Sequence, residues 1–288
     1  GEYGAAGLAG GASSSHCRWD NGDVLAAHGD QPVYPGADWF DVGLPCWYRI
    51  ADPLRASCIQ WEAIVELRIQ GLSRSYGSQA ALREVTLDLT PGTVALLGPN
   101  GSGKTTLLRC MASLLQPDTG RLWFDGLPYA QNLPLLRSQI GYLPQELDFP
   151  HNLTPRQLLE YIGTLKNIPE ADQVEHLLST LGLESVADRP FGRLSGGQIR
   201  LTGIAQAFLG TPSLLLLDEM THGLDVEERE RVFALARKPS PGRLIVFSTH
   251  DPSDVERFTE RAIVLQQGRV IFSGKARDLH HHIPGHHF

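Results

Sequence analysis

The sequence predicts an α/β chain: a largely parallel sheet covered on both faces, with an antiparallel sheet at its side. Two observations carry this. Short continuous apolar runs at residues 94–97, 140–143, 214–217, 244–247 and 262–265 have the character of strands buried on both faces. They alternate with helix-compatible stretches at 104–112, 155–165, 174–181, 197–209 and 226–236. Ahead of them, Ile64, Val65, Leu67 and Ile69, then Val85, Leu87 and Leu89, alternate as half-buried strands do and are assigned to the side sheet. An inserted helical subdomain is expected at about 134–210, and no internal repeat is visible.

Composition narrows the class. The chain has 288 residues, 42% hydrophobic and 20% charged, an ordinary globular balance. No unbroken apolar run approaches the ~20 residues needed to cross a bilayer, so a membrane role is expected to come through a partner. The net charge of −7 gives nucleic acid no general attraction, and no nucleic-acid partner is expected. Cys17, Cys46, Cys58 and Cys110 form no CxxC pair, which suits a reducing compartment. Residues 1–60 contain no Lys, open on a Gly/Ala/Ser-rich stretch without Met, and lack periodicity. They are read as an irregular segment outside the domain at 61–278, consistent with a fragment or a misassigned start and not with a secretory signal. The tail at 279–288 carries five of the 11 His residues and is read as a solvated end.

Three motifs carry chemistry. Gly98, Pro99, Asn100, Gly101, Ser102, Gly103, Lys104, Thr105 and Thr106 fit GxxxxGK[ST], directly after one buried run and directly before a helical stretch. Glycines let successive backbone N–H groups turn inward as an anion nest, and the new helix adds the positive end of its dipole. Lys104 is placed to bridge β- and γ-phosphates and the Thr105 hydroxyl to ligate Mg²⁺. The fold is thereby expected to be a P-loop NTPase core with an antiparallel β side sheet and an inserted helical subdomain. In LLLLDE, a buried strand ends in Asp218, suited to holding Mg²⁺, and Glu219, suited to orienting and deprotonating a water. Leu194, Ser195, Gly196, Gly197 and Gln198 spell LSGGQ ahead of a helical run. Ser195 can cap that helix, and the two glycines leave backbone N–H groups uncovered. A second phosphate cradle in one chain is most simply explained by a nucleotide bound to another copy.

Taken in order, GPNGSGKTT, LSGGQ, LLLLDE and the Thr249-His250 pair resemble the nucleotide-binding subunit of an ATP-binding cassette (ABC) transporter over about residues 61–278. The resemblance implies a two-lobed ATPase that dimerises head to tail, each ATP lying between one copy's phosphate loop and the other's LSGGQ. It implies ATP and Mg²⁺ as ligands, and as partners a transmembrane permease subunit and a second ABC cassette, identical or not. It places the chain at the cytoplasmic face of the cell membrane. Tyr76 resembles the aromatic that stacks on adenine. Gln145 resembles the glutamine that touches Mg²⁺ and water, and His250 the histidine that contacts the γ-phosphate. Gly223, Leu224 and Asp225 resemble the loop that crosses the dimer interface. The sequence departs from the family at Met220, where Pro is usual and a looser turn is expected, and has His222 at a variable position. The segment ELDFPHNLTPRQLLEYIGTLKNI looks most like exporter cassettes. The stretch from Lys104 to Ser195 is too short for long coiled-coil arms, and a single cassette counts against tandem translation factors. A soluble mechanical or regulatory ABC ATPase not coupled to transport stays as the alternative.

Overall fold

The computed structural model describes residues 66–279 apart from 132, 169, 170, 239, 241 and 251. The expectations for residues 1–60, for Ile64 and Val65, and for the tail beyond Leu279 lie outside the described residues. In chain order the first elements are β1 (Leu67–Tyr76), β2 (Gln79–Leu89), β3 (Gly92–Leu97), α1 (Lys104–Met111), β4 (Thr119–Phe124), β5 (Leu127–Pro128), α2 (Leu133–Gln139) and β6 (Ile140–Leu143). Then come α3 (Pro155–Leu165), α4 (Ala171–Thr180), α5 (Gly196–Phe208), β7 (Leu214–Leu217), α6 (Val226–Arg237), β8 (Leu244–Ser248), α7 (Pro252–Phe258), β9 (Arg261–Gln266) and β10 (Arg269–Lys275).

The strands form two sheets. A four-stranded antiparallel sheet has the order β2-β1-β4-β5, and a six-stranded sheet the order β10-β9-β3-β8-β7-β6. From β9 to β6 every neighbouring pair is parallel, and β10 closes the edge antiparallel to β9. Successive side chains of the parallel strands point to opposite faces, so each strand feeds two cores. Ala95, Leu97, Leu215, Leu217, Ile245 and Phe247 join the core containing α4, α5 and α6. Their neighbours Val94, Leu96, Leu214, Leu216, Leu244 and Val246 join the other, with α1 and the side sheet. A strand used on both faces has no polar position to spare, which is why these segments read as unbroken apolar runs.

The expected helical insertion needs a correction at its start. Residues 140–143, inside the range 134–210, are β6, hydrogen-bonded to β7 as part of the large sheet. Leu136 of α2 is buried with the side-sheet core, so the helices that pack together as an insertion are α3, α4 and α5. α3 opens on Pro155 behind a Thr154–Gln157 capping box, a local signal that fixes where the helix begins.

Candidate active site

Strand order brings the motifs together. The C-terminal ends of β3, β8, β7 and β6 are adjacent, and the residues that follow them are the phosphate loop, Thr249 and His250, Asp218 and Glu219, and Pro144 and Gln145. In a parallel sheet this edge is where ligands bind.

The phosphate loop turns through Gly98 at φ 146°, Gly101 at 77° and Gly103 at 107°. A methyl at Gly98 would lie 2.2 Å from the Leu265 carbonyl oxygen, and one at Gly103 2.4 Å from that of Ala81, so the loop is wedged between β9 and the start of β2. Lys104, 7% exposed, donates from Nζ to the carbonyls of Gly98 at 2.7 Å and Pro99 at 3.1 Å. Burial draws its ammonium below the usual lysine range, opposed by the carboxylates of Glu219 and Asp218. Ser102 and Thr106 are buried, Thr105 is half-buried, and Pro99, Asn100 and Gly101 are exposed or nearly so.

Asp218 is 1% exposed; its Oδ1 accepts from Ser248 Oγ at 2.5 Å, while Oδ2 is buried without a partner among the described residues. An unpaired buried carboxylate oxygen is costly, and a hard cation on that oxygen would satisfy it. With the Thr105 hydroxyl and the Gln145 amide as further oxygens on the same edge, the donor set fits Mg²⁺. Ser248 Oγ also accepts the Glu219 N–H at 2.8 Å, so a single hydroxyl holds both acidic residues in register. The Glu219 side chain, 11% exposed, sits 3.7 Å from His250 Nδ1 by one oxygen and 3.8 Å from His222 Nδ1 by the other. Its backbone stands in the left-handed region at φ 52°. The looser turn expected from Met220 is not found. Met220 is 1% exposed in the core, and the His222 N–H donates to the Glu219 carbonyl at 3.0 Å.

Two residues that the sequence reading did not single out hold this edge. Asp254 on α7, 1% exposed, accepts from Thr221 Oγ1 at 2.7 Å and Thr249 Oγ1 at 2.9 Å, tying the loop after Glu219 to the loop of His250. Arg200 on α5, 6% exposed, donates to the carbonyls of Pro144 and Gln145, each at 2.8 Å, to that of Glu219 at 2.7 Å, and to that of Asp218. Neither is distinguished by local pattern; the partners of Arg200 and the Thr221 partner of Asp254 lie 18 to 56 positions away, and Thr249 lies on the loop before α7.

LSGGQ stands at the start of α5. Ser195 Oγ accepts the Gln198 N–H at 3.2 Å and Gln198 Oε1 accepts the Ser195 N–H at 3.0 Å, a capping box that leaves Ser195 and Gly196 exposed and Leu194 half-buried. Among the described residues no hydrogen bond joins Ser195, Gly196 or Gly197 to the phosphate loop. Tyr76 ends β1, is 48% exposed, and lies under the Arg74 guanidinium at 5.6 Å from its ring centroid. Because β2 begins against Gly103, the hairpin carrying Tyr76 stands beside the phosphate loop.

Residues 82–222 match the family model described as ABC transporter. The probable sulfate/thiosulfate import ATP-binding protein CysA of Chlorella vulgaris is 34% identical over 225 residues, covering 76% of this chain and 94% of that protein. The chain belongs to the ABC transporter ATP-binding family. The Nod factor export ATP-binding protein I of Cupriavidus metallidurans is 35% identical over 219 residues, 74% of this chain and 72% of that one. A solved ATP-binding cassette, dimeric in a post-hydrolysis state with ADP and Pi bound, superposes with a TM-score of 0.67 at 28% identity, covering 73% of this chain and 99% of that chain. The ABC cassette fold and the ATPase reaction expected from the motifs therefore stand. Among the described residues no helix is long and apolar enough to cross a membrane.

Proposed function

We propose that this ABC cassette hydrolyses MgATP between two copies and that turnover drives a separate transmembrane permease subunit, which holds it at the cytoplasmic face of the membrane. One observation supports this above others: the phosphate loop, Thr249 and His250, Asp218 and Glu219, and Gln145 follow the adjacent ends of β3, β8, β7 and β6. The catalytic domain is assigned to residues 61–278. Backbone N–H groups of residues 98–104 cradle the phosphates, and Lys104 turns from its own carbonyls to the β- and γ-oxygens. Tyr76 stacks on the adenine. Thr105, Asp218 and Gln145 would hold Mg²⁺, which when bound neutralises phosphate charge. Glu219 orients a water in line with the γ-phosphorus and takes its proton as the bond to the β-phosphate oxygen breaks. His250 donates to the γ-phosphoryl oxygens. The partner copy supplies Ser195, Gly196 and Gly197, held in shape by Gln198 and by Leu194 packed beneath. Ser195 keeps its hydroxyl proton free for this, since its cap uses only the oxygen as acceptor.

The direction is proposed as export, supported by the exporter-like segment after Gln145 and by the relative that serves Nod factor export, against a sulfate importer of nearly equal identity. Phosphate release by the purified chain tests the reaction: it should require Mg²⁺ and vanish in Glu219→Gln with ATP binding retained. Co-reconstitution with the permease in inside-out vesicles tests the direction, export appearing as ATP-driven accumulation in the lumen and import as ATP-driven loss from it.

A further inference from the structure

Arg200 is the only described residue whose side chain donates to the carbonyls both of the Gln145 loop and of the segment carrying Asp218 and Glu219. Its planar fork reaches Pro144 and Gln145 through one nitrogen and Asp218 and Glu219 through the other. The residue is 6% exposed, and burying a guanidinium is expensive unless its donors are met; both terminal nitrogens are met, while Nε is buried without a partner among the described residues. Burial draws it below the usual arginine range, opposed by the carboxylates of Asp218 and Glu219. An apolar residue of similar volume would leave these four carbonyls without the donors Arg200 supplies. What the fork adds is geometry: backbone segments from two strands are fixed relative to one helix. That helix is α5, and Arg200 lies five residues beyond Ser195, about 7.5 Å along the axis. The end that meets the partner's nucleotide and the side chain that grips this copy's own catalytic loops are thus one rigid body.

We infer that Arg200 is a positioning residue for ATP hydrolysis, coupling contact of the α5 start with the partner's nucleotide to the placement of Gln145 and Glu219 in this copy's own site. The inference rests on the two-copy reading above. A shift of the α5 start on closure moves the fork, and with it the carbonyls of residues 218 and 219 that set where the Glu219 carboxylate points. The consequence is that each site hydrolyses at full rate only when the other is filled. Such coupling between sites is typically about 5–150-fold.

Two substitutions separate positioning from packing. Arg200→Gln offers two donors in place of the fork, and Arg200→Lys keeps a cation without the planar geometry. Both should lower kcat about tenfold or more with KM for ATP within about threefold of the parent, while the melting temperature stays near the parent's. In a Glu219→Gln background, Arg200→Gln should still allow the ATP-dependent dimer, because Ser195 and both glycines are untouched. Failure of Glu219→Gln alone to dimerise would sink the two-copy reading, whereas a dimer with parental kcat in both Arg200 variants would overturn the positioning role alone. Full activity in Arg200→Lys would show that charge suffices and overturn it too. Loss of folding in both, or a joint fall of melting temperature, kcat and affinity, would leave Arg200 a structural tie and end the proposal.

Discussion

Two helix starts in this cassette follow the glycine-bearing motifs and are finished in different ways. α1 begins at Gly103 with no side-chain cap, its first turn buried around Lys104, whose ammonium rests on the carbonyls of its own loop. α5 begins at Ser195 with a complete capping box and stands exposed. On the proposed reading the first start is left for a ligand to complete, whereas the second is closed by its own chain. Nucleotide should therefore stabilise one isolated copy through α1, whereas α5 keeps its shape empty and contributes only when a second copy arrives.

The comparison breaks at its largest scale if the two starts do not share one nucleotide. Glu219→Gln keeps size and hydrogen-bonding shape but removes the base, so hydrolysis should fall about 10²–10⁴-fold while ATP stays trapped. Size-exclusion chromatography at saturating ATP should then show a dimer, and adding Ser195→Arg should abolish it. Next in size, Lys104→Ala should weaken MgATP binding about 10–100-fold, the loss of charge-assisted bonds to phosphate. Calorimetry on the monomer checks this, and Ser195→Arg should leave the same isotherm unchanged. The glycines sharpen the contrast further. Gly98→Ala meets the Leu265 carbonyl at φ 146° and should cost about 1–3 kcal/mol in backbone strain alone, whereas a methyl at Gly196 has nothing within 4 Å. Gly196→Ala should accordingly keep the parental melting curve and lose the trapped dimer. The smallest effect belongs to Ser195→Ala, about 1 kcal/mol of stability from the lost cap.

What the sequence made legible follows from locality. The parallel strands β6 and β7 coincide with their apolar runs because both faces are buried, and α3 and α5 begin at their capping residues. β4, β5 and β10 were not expected. β4 opens on exposed Thr119, Gly120 and Arg121 and buries only Leu122 and Phe124; β5 has two residues, and β10 is an edge strand exposed along most of its length. Such segments draw their structure from a neighbour, not from their own pattern. The phosphate loop and LLLLDE announced their chemistry because backbone cradles need glycine and strand ends need carboxylates at fixed spacing. Arg200, Ser248 and Asp254 act through partners 18 to 56 positions away, or on a neighbouring loop, and nothing in a single sequence pairs them.

Glu219 holds its carboxylate in the site on a backbone that L-residues avoid, at φ 52°. Glycine would occupy that conformation freely, sparing about 1–2 kcal/mol of steric cost and the burial of a charge. A library selected for heat resistance without an activity screen would thus enrich Glu219→Gly and converge on sturdier, silent cassettes. Glutamate at this position thus exchanges robustness for a carboxylate in the site.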